Sequence, residues 1–366
     1  MTLIQHITDY LETLAPLSYQ EDYDNAGLIT GSASWECKGV LISLDTTEAV
    51  IREAVLKNCN LVIAHHPIIF SGLKKINGKN CVEQAVITAI KNDIAIYAVH
   101  TNLDNVQHGV NGKIAERLGL INCTVLRPLP GILKKLFTFV PLSHTDEVRN
   151  AIFFAGAGAI GNYSECSFTT QGQSSYNAGI GTSPYTGEIG KRHYETELRI
   201  EVIFPAYLEN KIIAAMTGAH PYEEVAYDLV QLSNNYNTTG AGLLGELKEP
   251  MEERSFLKFL KLQFQVPVIK HTAFTGRMIK TIACCGGAGS FLIADALSKS
   301  ADFFITADMR YHEYFDANNR MVIADIGHYE SEQFTIDLLH EILIKKFSSF
   351  TLLKTEVNTN PVKYFF

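Results

Sequence analysis

Three short segments carry most of the residues able to do chemistry. LVIAHHP sets His65 and His66 side by side behind an apolar run, IYAVHTNLDN sets His100 and Asp104 behind another, and MVIADIGHYESE sets His328 and Glu332 four residues apart. A fourth run, VLISLDTT, carries Asp45 at its end. Each apolar run reads as a strand, and open α/β sheets bind ligands outside the carboxyl ends of their strands. His328 and Glu332 share one helix face, roughly 6 Å apart at Cβ. Four imidazoles and two carboxylates, with no cysteine among them, suit a borderline divalent ion such as Zn, Fe, Mn, Co or Ni. Six ligands exceed the needs of one catalytic ion with an open position. Two ions, roughly 3.5–4 Å apart and bridged by a carboxylate, would use all six.

Other residues are weighed against plainer roles. A lone histidine behind a strand is ordinarily a hydrogen-bonded structural group, which covers His6, His108, His144, His193, His271 and His340. ACCGGAGS runs from a strand into a helix, so the backbone around Gly286, Gly287, Gly289 and Ser290 could cradle a phosphate or other anion. The same glycines could equally be a tight turn with close strand–helix packing. Asp308 and His312 lie four apart on an expected helix; they and Asp45 are candidates for supporting the ligands or for acid–base work, against ordinary helix-face roles for the first two. Cys284 and Cys285 read as a buried strand end, His220 with Glu223 and Glu224 as a solvated turn or a weak ion site, and Trp35 as a packing anchor.

The elements that must position these groups alternate. Helices are expected over 3–15, 47–58, 80–92 and 109–119, with strands over Val40–Leu44, Leu61–Ala64 and Ile94–Val99 between them. The texture returns late, with helices over 252–263, 290–299 and 329–346 and strands over Ile279–Cys284, Phe303–Thr306 and Met321–Ile326. Such alternation indicates βαβ units and a mainly parallel sheet. Between the halves lie a strand (Leu133–Pro141), a helix (145–155), loops around short strands (156–190), a strand (Thr196–Phe204), a helix (205–217) and a strand (225–232). That order suits a ferredoxin-like βαββαβ module. The expected fold class is therefore α/β: a discontinuous core of 1–126 and 248–366 interrupted by an inserted α+β domain at 127–247.

Bulk properties narrow the class. The 366 residues carry 31 Lys+Arg against 39 Asp+Glu, a formal charge of −8, which disfavours a nucleic-acid or anionic-membrane binder. No apolar run reaches the length of a membrane span, and the N-terminus lacks the basic start of a signal peptide. Seven scattered cysteines without a CxxC pair point to reduced thiols in a cytoplasm.

YDNAGL (Tyr23–Leu28), SLDTT, IAHHP, HTNLDN, ACCGGAGS, TADMRYHE, DIGHYESE and TNPVKYF together resemble the GTP cyclohydrolase 1 type 2 homologues, also called the Ngg-one-interacting-factor-three-like family. The resemblance spans both halves of the core. It implies two divalent transition-metal ions per chain on His65, His66, His100, Asp104, His328 and Glu332, with His100 the ligand that could instead stand behind the others. It further implies a homo-hexamer with the sites facing an internal cavity, and an insert similar to PII and CutA-type modules. The leading functional expectation is a metal-dependent hydrolase of a small phosphate-bearing or nucleotide-like substrate. The alternative is a non-enzymatic metal-binding hub. An apolar C-terminus of Tyr364, Phe365 and Phe366 is expected to pack on the core or on a neighbouring subunit.

Overall fold

A computed structural model describes residues 2–365, and the chain divides into two units, one formed by the residues up to Pro128 and from Asn237 onward, the other by Leu129–Tyr236. The first unit begins with α1 (Ile4–Leu14), whose Ile4, Ile7 and Leu11 recur three and four apart and are buried. There follow β1 (Gly27–Thr30), β2 (Val40–Ser43), α2 (Glu48–Leu56), β3 (Leu61–Ala64), α3 (Cys81–Lys91), β4 (Ala95–Ala98), a single turn α4 (Thr101–Asp104), α5 (Val110–Leu118) and β5 (Ile121–Pro128). Thr47 and Asn80 start α2 and α3 by accepting hydrogen bonds from the amides of Val50 and Glu83, caps each worth about 1 kcal/mol.

The second unit runs β6 (Leu133–Pro141), α6 (Thr145–Phe154), β7 (Ser167–Asn177), β8 (Arg192–Pro205), α7 (Glu209–Ala219) and β9 (Tyr227–Gln231). Its sheet is antiparallel with order β7-β8-β6-β9, the connectivity of a βαββαβ unit. Leu136, Val140, Ile200 and Val202 meet Val148, Ile152, Ile212 and Met216 of the two helices in one core.

The chain then returns to the first unit with β10 (Gly240–Glu252), α8 (Glu253–Phe264), β11 (Lys270–His271), β12 (Met278–Ala288), α9 (Ile293–Ser298), β13 (Phe303–Ala307), β14 (Val322–Asp325), α10 (His328–Glu332), α11 (Thr335–Lys346) and β15 (Leu352–Lys354). Two sheets result, ordered β1-β4-β3-β2-β15 and β11-β14-β13-β12-β10-β5. Strands β2, β3, β4 and β15 run parallel, as do β12, β13 and β14. Val40, Ile63 and Tyr97 of one sheet and Leu243, Ile282 and Phe303 of the other share a single core with Leu118, Phe256 and Leu339 from the helices. Strands covered on both faces read as unbroken apolar runs, which is why β2, β3, β4 and β14 stand out in the sequence. No helix among the described residues is long and apolar enough to cross a membrane.

The structure departs from expectation in four places. The boundary at 247 is wrong: β10 pairs with both β5 and β12, so residues 240–252 are core strand, and Pro250 sits in a register shift where its missing N–H does no harm. The short strands expected among loops over 156–190 give way to the eleven-residue β7, mostly exposed and polar, held by pairing with β8 along its whole length. The single helix expected over 329–346 is two, α10 and α11, parted at Gln333 and Phe334. At the C-terminus Tyr364 does pack on the core, donating to the buried Glu330 at 3.2 Å, whereas Phe365 is fully exposed and Phe366 lies outside the described residues.

Pro128 and Gly240 are cross-strand partners, so the chain leaves and re-enters the first unit at adjacent points. Insertions are tolerated at such sites. Replacing Leu129–Tyr236 by a short Gly/Ser linker should leave a soluble chain with one cooperative thermal transition by circular dichroism. An insoluble or non-cooperative product would contradict the division.

Candidate metal centre

The carboxyl ends of parallel strands from both sheets of the first unit converge on one cup. His65 and His66 follow β3, His100 follows β4, and His328 and Glu332 lie on α10 behind β14. The possible ligand atoms of His65, His66 and His100 lie within 4.8 Å of one another, and so do those of His66, His328 and Glu332. His66 joins the two groups. Asp104, at the end of α4, places Oδ1 3.7 Å from His65 Nε2, and Glu332 Oε1 lies 3.8 Å from the same nitrogen. The structure thus brings together all six ligands expected from the sequence.

Every imidazole is held by its outer nitrogen. His65 Nδ1 bonds the carbonyl of Val99 at 2.8 Å, His66 Nδ1 bonds Asp45 at 2.8 Å, His100 Nδ1 bonds Asp24 at 2.7 Å and His328 Nδ1 bonds Asp308 at 2.6 Å. Such partners fix ring orientation and tautomer and leave Nε2 free to ligate. Asp45 is occupied on its other side too, accepting from Thr359 at 2.5 Å, which makes it an anchor for His66 and leaves neither oxygen free for acid–base work. Asp308 serves His328 in the same way, from a left-handed backbone (φ 54°) rather than from the expected helix. Asp24 was not singled out from the sequence; it lies in YDNAGL, among the segments carrying the resemblance, but follows no strand.

The charges are arranged around one buried carboxylate. Glu332 is 3% exposed and His65 is fully buried. Burial alone would raise the Glu332 pKa, but the imidazoles of His328, His65 and His66 outweigh it and hold the carboxyl well below its usual range. Burial likewise opposes the charge on His66 and His328, yet Asp45 with Glu332 lifts the first to about 10, and Glu332 with Asp308 lifts the second to about 9. Asp104 moves the other way, raised by burial and by the charge of Glu332. Asp24 is lowered to about 2, because bonds from His100 and Thr101 outweigh its burial.

Three inward atoms are placed to receive a cation. His65 Nε2, Asp104 Oδ1 and Glu332 Oε2 are buried without a hydrogen-bond partner. His66 Nε2 and His328 Nε2 stand 3.0 and 3.1 Å from Glu332 Oε2, at ion-pair distance but not in hydrogen-bonding geometry. A buried polar atom without a partner costs about 1–3 kcal/mol, so a cluster of three calls for an ion. A cavity of about 690 Å³ opens onto the cup, with Tyr23, Phe70, Phe291, Lys270 and Tyr364 among its walls.

The remaining candidates fall elsewhere. His312 is exposed on the 3₁₀ segment Tyr311–Ala317, its ring against Tyr311 and Phe315, and it does not line the cavity. The anion cradle is not available either. The amides of Gly286, Gly287 and Gly289 already donate to Asn111, Ser331 and Thr306, and the Ser290 hydroxyl donates to Glu313. These glycines do a packing job instead: a Cβ on Gly287 would stand 2.4 Å from Glu332 Oε1. His220 uses both ring nitrogens, on the carbonyl of Phe139 and the amide of Tyr222, and so is no ion ligand.

Fold and site define a mixed α/β protein with an interrupted core and a histidine–carboxylate cup at the carboxyl ends of its parallel strands. The family model Duf34/NIF3 (NGG1p interacting factor 3) matches residues 2–361, and the chain belongs to that family. It is 38% identical over 365 residues to a Halalkalibacterium halodurans protein named GTP cyclohydrolase 1 type 2 homolog, with 98% of each chain covered. A Bacillus subtilis protein of the same name is 37% identical over 366 residues, again at 98% of each. The crystal structure of a Bacillus cereus protein related to NIF3 superposes with a TM-score of 0.86 at 37% identity, covering 100% of this chain and 99% of that one.

The packing of Glu332 on Gly287 is measurable. Gly119 and Gly287 both have left-handed backbones (φ 65° and 60°), but a Cβ at Gly119 would meet nothing within 4 Å. Gly119→Ala should cost about 1–2 kcal/mol for the backbone alone. Gly287→Ala should cost about 1–3 kcal/mol more through overpacking. Equal losses in urea melts would show that Glu332 does not press on Gly287.

Proposed function

We propose that the cup holds two divalent transition-metal ions and that the chain is a metal-dependent hydrolase of a small phosphate-bearing or nucleotide-like substrate. The observation that supports this most is the set of partnerless buried atoms on His65, Asp104 and Glu332, among imidazoles whose outer nitrogens are already bound. Glu332 reaches toward His65 with one oxygen and toward His66 and His328 with the other, the disposition of a bridging carboxylate. When bound, such ions supply Lewis acidity and lower the pKa of coordinated water. The chain supplies the rest. Asp45, Asp24, Asp308 and the Val99 carbonyl hold the four rings in place, Gly287 leaves room for Glu332, and Lys270 stands in the cavity wall paired with Asp325 at 2.6 Å. The relatives' name, GTP cyclohydrolase, is compatible with a nucleotide-like substrate, although no residue of the cup specifies guanine. The homo-hexamer and the PII/CutA-like character of the insert belong to the same proposal, carried by the resemblance, and with them the cytoplasmic location, which rests on the scattered cysteines.

Protein purified without chelator or affinity-tag nickel should contain about two transition-metal ions per chain by elemental analysis. His65→Ala and Glu332→Ala should lower that content while the circular dichroism spectrum holds, because a core of this size stands without metal, unlike a zinc finger. Asp45→Asn should weaken metal affinity about 10–100-fold through His66 alone. Full metal content in both ligand variants would sink the assignment. Turnover in a phosphoester and nucleotide screen, lost in Glu332→Ala, separates hydrolase from metal-binding hub.

A further inference from the structure

The second unit has a cavity of its own, about 620 Å³, formed by the β7–β8 hairpin, its connecting loop and the turn after α7. That volume is within the usual range for small-molecule sites. Tyr176, Tyr185 and Tyr222 line it, with ring centroids 6.3 Å apart for the first and third and 6.0 Å for the second and third. Glu197 is part of the same lining and only 4% exposed; one of its oxygens accepts from the Tyr222 hydroxyl at 2.7 Å, and the other has no partner among the described residues. The Ser174 hydroxyl, also in the lining, is buried and bonds nothing. A protein does not ordinarily leave a buried hydroxyl unanswered beside an open cavity.

Charge and ring chemistry select the ligand. Glu223 and Glu224 add two acidic groups to the walls. Among the described residues the one cation of its walls, Arg199, is committed: its guanidinium bonds Glu201 and lies 5.0 Å over the ring of Phe137. Acidic groups without counter-charge, next to three tyrosine rings, suit a positive charge carried on an apolar or planar body. An anion would meet Glu197 directly. We propose that this cavity binds a small organic cation, an ammonium or guanidinium, with Glu197 as its counter-ion and the three tyrosines as its walls. The site lies wholly within Leu129–Tyr236 and is independent of any metal in the first unit.

Isothermal titration of the full-length chain with choline, putrescine and agmatine tests this, with 3,3-dimethylbutanol as the neutral counterpart of choline. At least one cation should bind, and the neutral alcohol should bind about tenfold more weakly or not at all. Glu197→Gln keeps an acceptor for Tyr222 and removes the charge, so the cation's affinity should fall about tenfold or more. Tyr185→Leu, which removes a wall and leaves the carboxylate, should weaken the same cation independently and serves if Glu197→Gln does not fold. No binding of any cation up to about 10 mM, some tenfold above a millimolar Kd, would overturn the proposal. So would equal binding of the neutral alcohol, or cation binding that neither substitution changes.

Discussion

A carboxylate buried to the extent of Glu332 needs positive charge beside it, and the surrounding structure is arranged to provide a place for that charge. Without it the cup holds two buried acids, Glu332 and Asp104, whose mutual repulsion and desolvation are costly. Protons on His66 and His328 supply the charge when nothing else does. The anchors behind those rings, Asp45 and Asp308, then raise ring basicity and fix ring direction together. Gly286 and Gly287 complete the arrangement from β12: a Cβ on Gly286 would stand 3.4 Å from Glu332 Cγ, and one on Gly287 would collide with its oxygen.

The position of the cup follows from topology. β2, β3 and β4 deliver Asp45, His65, His66 and His100 from one sheet, while β12, β13 and β14 deliver Gly287, Asp308 and the α10 pair from the other. Side chains more than 260 residues apart, such as His66 and His328, thereby come to 3.3 Å. The C-terminal segment closes one side, where Thr359 bonds Asp45 and Asn360 bonds Glu330. Nothing in this set comes from Leu129–Tyr236.

What was legible in the sequence is what local chemistry writes strongly. Doubly covered parallel strands are apolar runs, and histidines at their ends are conspicuous, so the candidate ligands and the elements carrying them stand out in the sequence. β7 shows in the sequence only as a short strand among loops, because an exposed polar strand has no apolar alternation to mark its length. β10 escaped because Gly240, Gly242, Gly245 and Pro250 look like a linker, whereas its register shift and close packing on β5 are properties of the partner strands. The anion reading of ACCGGAGS failed for a related reason. Glycines open space and free amides equally in sequence, and only the placement of Asn111, Ser331 and Thr306 decides which use prevails. Asp24 needed the fold, since its bond to His100 spans 76 residues.

X-ray absorption at the edge of the transition metal that the purified protein retains tests the central claim most directly. A first shell of nitrogen and oxygen at roughly 2.0–2.2 Å with no sulfur is expected, although Cys285 borders the same cavity. A metal–metal vector at roughly 3.5–4 Å is expected as well, since Glu332 would be shared between two ions. A sulfur shell near about 2.3 Å, or a fully loaded protein with no metal–metal vector, would contradict it.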